Sequence, residues 1–295
     1  MEINIPGDIW EAIARYCDFP TLLSLRSTCS SIRRRVLVKS IPDELHFKLN
    51  DKNLSLFPQL RVLYANCNPA IADDSVMKLP YLTSLSADYN PNITDVSVDL
   101  LPQLTYLDAS YNPNITDASV SKLTQLTTLY AVRNWNITDA SVVLLEQLTS
   151  LNAAINSKIT DVSVGKLTQL TNLDADGNLG ITDVSVGKLT QLTTLDATNN
   201  LNITDASVVL LKQLTTLYAG GKSKITDASV SLLTQLTTLD AGYNLNITDV
   251  SVSKLTRLTI LSAEENPNIT DASISVLKQL TYLNADDNPN ITIRI

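Results

Sequence analysis

Apolar residues return along this chain at two spacings that alternate without a break. Leu107 and Ala109 alternate with Asp108 and Ser110, a period of two that predicts a short strand with one buried face. A few residues on, Ile115, Val120 and Leu123 are spaced like the inner side of a short helical turn, with proline and asparagine between. The block then starts again. Asp51, Asp73, Asp95, Asp117, Asp139, Asp161, Asp183, Asp205, Asp227, Asp249 and Asp271 stand 22 residues apart, with no insertion anywhere. The unit reads L-x-x-L-x-A-x-x-N-x-x-I-T-D-x-S-V-x-x-L, and one copy is Leu104, Leu107, Ala109, Asn112, Ile115, Thr116, Asp117, Ser119, Val120, Leu123. A single unit cannot bury its apolar side. Stacked units can, with parallel strands about 4.8 Å apart and a rod on the order of 50 Å long for eleven copies.

The unit resembles the leucine-rich repeat, and its Ile-Thr-Asp resembles the cysteine-containing subclass of that family. Asn stands where that subclass has Cys, and Ala replaces the last strand Leu in every copy from Ala65 to Ala285. The smaller residue should let the layers approach closely there. The resemblance implies an α/β fold: a leucine-rich-repeat solenoid over residues 41–295, of about eleven 22-residue repeats. A parallel β-sheet would line its concave face and short helical turns its convex face.

Three ladders run through the repeats. The Asn ladder (Asn68, Asn90, Asn112, Asn134, Asn156, Asn178, Asn200, Asn244, Asn266, Asn288), broken once by Lys222, is expected to satisfy backbone groups of its own and the next turn rather than a ligand. The Asp ladder is expected to supply helix N-caps rather than a calcium row, since Asp precedes the apolar run with Ser two positions on. The Thr ladder (Thr105, Thr127, Thr149 and onward) is read as β-propensity and packing.

The frame is constant but the outward strand positions are not. The row after the second Leu includes Tyr64, Asp108, Tyr130, Asp174, Asp196, Tyr218 and Asp240; the row after Ala includes Asp88 and Asp176. Beside them lie Tyr89, Tyr111, Arg133 and Tyr243, with Trp135 two residues beyond Arg133. The expected face is acidic and studded with tyrosine, suited to holding a basic target protein; the alternative is a merely solvated surface. Tyr130, Arg133 and Trp135 make its best anchor, and Asp174, Asp176 and Asp196 its densest negative patch. Carboxylates on neighbouring strands lie roughly at a retaining glycosidase's separation. Nothing in the sequence marks a deep pocket around them, so no catalytic residue is expected.

Composition narrows the rest. The only histidine is His46, and no Gly-rich phosphate loop or clustered metal ligands appear, so no metal, no cofactor and no enzyme activity are expected. Three cysteines (Cys17, Cys29, Cys67) make no disulfide framework, which favours an intracellular setting, cytoplasmic or nuclear. No run of 18 apolar residues exists, and the first residues do not read as a signal peptide. Residues 1–40 hold six basic and four acidic groups, net +2; the whole chain is −8, so residues 41–295 carry −10. Neither nucleic acid nor an anionic membrane is expected as a partner of that long region.

Residues 1–40 do not repeat. Asp8, Ile9, Ala12, Ile13 and Tyr16 fit one side of a helix after Pro6-Gly7; Leu22, Leu25, Cys29 and Ile32 fit the inner side of a second, which Arg33-Arg34-Arg35 closes. The stretch IPGDIWEAIARYCDFPTLLSLRSTCSSIRRR is similar to an F-box, with Ile5-Pro6, Asp8-Ile9, Ile13 and Tyr16, then Leu22, Leu25-Arg26, Cys29 and Arg33 in order and spacing; Ile32 stands where that family commonly has Trp. The resemblance implies an F-box-like helical segment over residues 1–40. It would dock a Skp-type adaptor of a cullin–RING ubiquitin ligase through Ile5, Pro6, Ile9, Ile13, Leu22 and Leu25. The alternative is a plain helical cap over the first strand edge. Leu45, Phe47 and Leu49 alternate as a first strand would. The last turn lacks its helical half, so end-to-end self-association through an open apolar end is also expected.

Overall fold

The computed structural model describes residues 49–294. Residues 1–40, and with them the six proposed docking residues, lie outside the described residues, as do His46, Leu45 and Phe47; Leu49 is described and buried. The described residues divide into two compact units, the first ending at Leu126 and the second starting at Thr127. That division falls within the repeats, whereas the expected boundary after residue 40 lies outside the described residues.

In the first unit β1 (Val62–Tyr64), β2 (Ser84–Ser86) and β3 (Tyr106–Asp108) pair in parallel. Each residue faces the one 22 positions on, as Leu63 faces Leu85 and Leu85 faces Leu107. The second unit repeats the scheme with β4 (Thr128–Tyr130), β5 (Ser150–Asn152), β6 (Asn172–Asp174) and β7 (Thr194–Asp196). It continues with β8 (Thr216–Tyr218), β9 (Thr238–Asp240), β10 (Ile260–Ser262) and β11 (Tyr282–Asn284). The architecture is a leucine-rich-repeat solenoid of the α/β class.

Only the central Leu of each strand points into the core; the Ala two residues on follows it. The Ala extends the ladder, since its N–H donates to the next repeat's carbonyl, as from Ala153 to Asp174 at 2.9 Å. Leu85, Ala87, Ile93 and Val98 are all fully buried, as are their equivalents in most other copies. A side chain larger than Ala would have to fit where two backbones already hydrogen-bond.

Each helix is one four-residue turn that opens on the ladder Asp, as Asp183–Val186 does. Such a turn is not stable alone, and the caps explain how it persists. The expected Asp cap is corrected by the structure. Thr is the N-cap, with the Thr182 Oγ1 accepting from the Val184 N–H at 3.1 Å, and Asp is the first helical residue. The Asp instead staples repeats together. Asp183 Oδ1 accepts from the Thr204 N–H at 2.8 Å and from the Ser207 hydroxyl, and its Oδ2 accepts from Thr204 Oγ1 at 2.6 Å. The next helix therefore begins with a cap already held by the one before.

The Asn ladder does satisfy backbone groups, but its amide reaches the preceding turn. Asn156 Nδ2 donates to the carbonyls of Ala131, Asn134 and Ile137, while its Oδ1 accepts from the Lys158 N–H at 3.1 Å within its own turn. The Thr ladder adds hydrogen bonds to packing, with Thr171 Oγ1 donating to the Thr149 carbonyl at 3.1 Å. At the Lys222 break, Ser223 turns inward instead and is 2% exposed, while Lys222 is exposed.

Candidate functional site

The outward side of the sheet is where the repeats differ, and its backbone explains part of the difference. The residue after Ala has an N–H that the ladder does not use. An Asp or Asn at the end of the strand folds over to accept it: Asp108 from Ser110, Asp174 from Asp176, Asp196 from Thr198 and Asp240 from Gly242, at 2.8–3.0 Å. This is an Asx turn in each of these copies. Those acids thus have a structural duty that a charge-based reading of the row missed; the recurrence of Asp or Asn two residues before the capped N–H was the signal.

The duty leaves the carboxylates crowded. Burial pushes the Asp196 carboxyl up to about 6; the Thr198 hydrogen bonds oppose this, and the charges of Asp174 and Asp176 add to it. Burial likewise raises Asp174, against its hydrogen bonds to Asp176 and Asn152. In the first unit burial and the nearby Asp108 charge push Asp88 up to about 6, and burial raises Asp108. Asp88 Oδ1 is buried with no hydrogen-bond partner among the described residues. Such crowding disfavours the charged forms and would be relieved by an incoming cation.

The next position is conformationally expensive. Cys67, Tyr89, Tyr111, Arg133, Ile155, Asn199, Tyr243, Glu265 and Asp287 all have φ between 46 and 61°, the left-handed region; Gly177 and Gly221 share it. Glycine or asparagine sits there most easily. Tyrosine occurs three times instead. Tyr89 and Tyr111 stack with ring centroids 4.1 Å apart and planes 15° from parallel. The Tyr243 hydroxyl donates to Glu264 Oε1 at 2.8 Å, and that bond leads the causes that push it up to about 12.

The remaining sequence-chosen residues fall as follows. Tyr64 and Tyr130 end β1 and β4 and are half-buried; Tyr218 ends β8 and is exposed. Arg133 and Trp135 are exposed on either side of the buried ladder residue Asn134. Asp174, Asp176 and Asp196 are brought together, since the charges of the first two both act on the third. A cavity of about 530 Å3 opens on the second unit where Gly220 and Gly242 stand in the row after Ala. Sequence reasoning did not find it; the two glycines in adjacent copies were the available signal. No group of residues set to hold a metal ion occurs among the described residues, and no helix among them is long and apolar enough to cross a membrane.

No protein-family model matches the chain, and no curated protein matches it. Solved structures do. An internalin, InlF of Listeria monocytogenes, is 29% identical over 78% of this chain and 69% of its own, with a TM-score of 0.58. The functional domain of InlJ from the same bacterium is 30% identical over 80% of this chain, with a TM-score of 0.54; the match spans 55% of that structure, about half its length. A chain of the yeast Rad7–Elc1 complex is 16% identical over 94% of this chain and 91% of its own, with a TM-score of 0.57, a likeness of fold alone. The repeats described above have the architecture of a leucine-rich-repeat protein-interaction scaffold.

Proposed function

We propose that this chain is the substrate-recruiting subunit of a Skp–cullin–F-box-type ubiquitin ligase. In this reading Ile5, Pro6, Ile9, Ile13, Leu22 and Leu25 dock a Skp-type adaptor, and the sheet face holds a basic target protein. The chain performs no chemistry; it raises the target's local concentration at the ligase. The docking half is supported by the order and spacing of residues 5–33. The target half is carried by one observation: bulky side chains such as Tyr89, Tyr111 and Tyr243 occupy left-handed positions, where each costs on the order of 1 kcal/mol that glycine would spare. Strain of this kind, beside under-neutralised carboxylates, marks a surface shaped for contact rather than for stability.

Two measurements on the full chain test the halves separately. Co-purification with a eukaryotic Skp-type adaptor should succeed for the natural chain and fail for the Ile9→Lys, Leu25→Lys double variant. An adaptor that is never retained would leave a ligase-independent scaffold, with the N-terminal helices acting only as a cap. For the face, the probe is poly-L-lysine in titration calorimetry. The triple variant Asp174→Asn, Asp176→Asn, Asp196→Asn should bind about tenfold more weakly. The equally charged variant Asp74→Asn, Asp99→Asn, Glu146→Gln, altered at exposed acids off the strands, should bind like the natural chain. Equal weakening by both triples would reduce the attraction to net charge alone.

A further inference from the structure

The cavity at Gly220 and Gly242 differs from the rest of the sheet face in carrying glycine after Ala in two adjacent copies. Tyr218 ends β8 where neighbouring strands end in Asp, so no Asx turn forms and the Gly220 N–H has no acceptor among the described residues. One strand on, Asp240 Oδ1 accepts from the Gly242 N–H at 2.9 Å, and its Oδ2 has no hydrogen-bond donor among the described residues. Glu264 is held in place by the Tyr243 hydroxyl and by Asn284 Nδ2 at 3.1 Å. The Tyr243 ring is half exposed beside them.

The glycines keep the floor of the cavity bare. A Cβ on Gly221 would lie 2.3 Å from Asn199 Oδ1, and one on Gly220 would lie 3.0 Å from the Gly242 carbonyl. Two fixed carboxylates, an aromatic wall and a bare backbone floor therefore line one cavity of about 530 Å3.

We infer that this cavity is a receptor for an arginine side chain of the target protein, an inference that rests on the reading of the sheet face as a target-binding surface. A guanidinium is planar, presents its donors as a fork that suits carboxylates, and stacks on a tyrosine ring. Its methylene stem lies along the glycine floor. The Gly220 N–H and the exposed Lys222 ammonium supply donors for the arginine's own main-chain carbonyl. An acidic side chain would meet Asp240 and Glu264 as like charges, and a neutral one would gain no attraction from them; Lys222, the one cation in the lining, is outnumbered by these two carboxylates. Lysine offers a point charge without the plane.

The chain has only eight glycines, three of which line this cavity, so selective 15N-glycine labelling of the full chain reads it directly. The probe is acetyl-Gly-Arg-Gly-amide, compared with the lysine and glutamate peptides. The Gly220, Gly221 and Gly242 signals should shift saturably with the arginine peptide, about fivefold more weakly with lysine, and not with glutamate. Asp240→Asn should weaken the arginine response about tenfold while the five glycine signals outside the cavity stay in place, which excludes a folding defect. No saturable shift, an equal response to lysine or glutamate, or shifts spread over all eight glycines would overturn the inference. If these signals stay silent while the Asp174 triple variant still weakens poly-L-lysine binding, the cavity inference fails alone and the reading of the face stands.

Discussion

The frame of each repeat and the sheet face beside it are built on opposite rules. In the frame, nearly every copy uses the same residue for the same bond: Asn to the preceding turn's carbonyls, Asp to the next cap, Thr to the preceding strand. On the face, adjacent copies hold Tyr218, Asp240 and Ser262 at one position, and the position three residues on is left-handed whatever side chain it carries. The frame is satisfied at nearly every position, the buried Ser75 hydroxyl excepted; the face carries an orphan acceptor, crowded acids and strained tyrosines. The difference teaches where to look for function in a repeat protein. Where hydrogen bonding is complete, invariance needs no partner to explain it; where it is incomplete, a partner is the natural completion.

The largest test strikes the frame. Asn156→Ala removes three donations to buried carbonyls of the preceding turn and one acceptor in its own. It should cost about 3 kcal/mol in urea unfolding, because four hydrogen bonds are lost in a dry interior: the Ala131 and Asn134 carbonyls keep the backbone N–H groups of Asn134 and Ile137, while the Ile137 carbonyl and the Lys158 N–H lose the Asn156 partner. Asp176→Asn on the face should stay within about 0.5 kcal/mol of the natural chain. Equal effects from the two would end the distinction between frame and face.

How much of this was legible in the sequence follows from which interactions are periodic. The strand at Leu107, the turn at Val120 and the parallel stacking could be read directly, because a constant 22-residue offset admits one register. The Asp staple was misread as a cap. Asp and Thr are both good caps, and the sequence does not reveal that Asp183 bonds Thr204 one repeat later while Thr182 caps its own helix. The Asx turns were missed for a related reason: a charged side chain reads as surface until the backbone N–H beneath it is seen. The cavity was missed because glycine carries no chemistry of its own, and what matters at Gly220 is the groups its neighbours aim past it.

A smaller effect is set by pH. Asp196 has a folded carboxyl near 6, above the roughly 3.9 of an unfolded aspartate. Between those values the folded chain holds a proton that the unfolded chain has released, so stability falls as pH rises through that window. The chain should therefore melt higher at pH 5 than at pH 7, with Asp88 contributing in the same sense. The frame acid Asp183 acts oppositely: it is held low, with burial opposed and outweighed by the Ser207 and Thr204 hydrogen bonds. Its contribution is present above about pH 4 and is lost as pH falls through the folded value. Asp196→Asn should gain about 1 kcal/mol at pH 7 and flatten the slope between pH 5 and 7. Calorimetric melting at both pH values decides it. A melting point that rises from pH 5 to pH 7 would mean that the face acids are not crowded, and the charge argument for a cationic partner would lose its basis.

The smallest effect tests the observation on which the target-binding reading rests. Ile155 is branched at Cβ and half-buried, and it sits at φ 52° with its N–H donating to the Asp176 carbonyl at 2.8 Å. Asn199, two copies later, shows that an asparagine fits the same left-handed position. Ile155→Asn keeps the backbone bond and relaxes the conformation, so it should stabilise the chain by about 0.5 kcal/mol, read as a higher urea midpoint at unchanged slope. Tyr243→Asn should do the same while abolishing the response of the Gly220 cavity to the arginine peptide. Stability gained as binding is lost would establish that the face was shaped against its own ease. Stability lost in both variants would make this row a packing device like the frame, and its tyrosines would then need no partner to account for them.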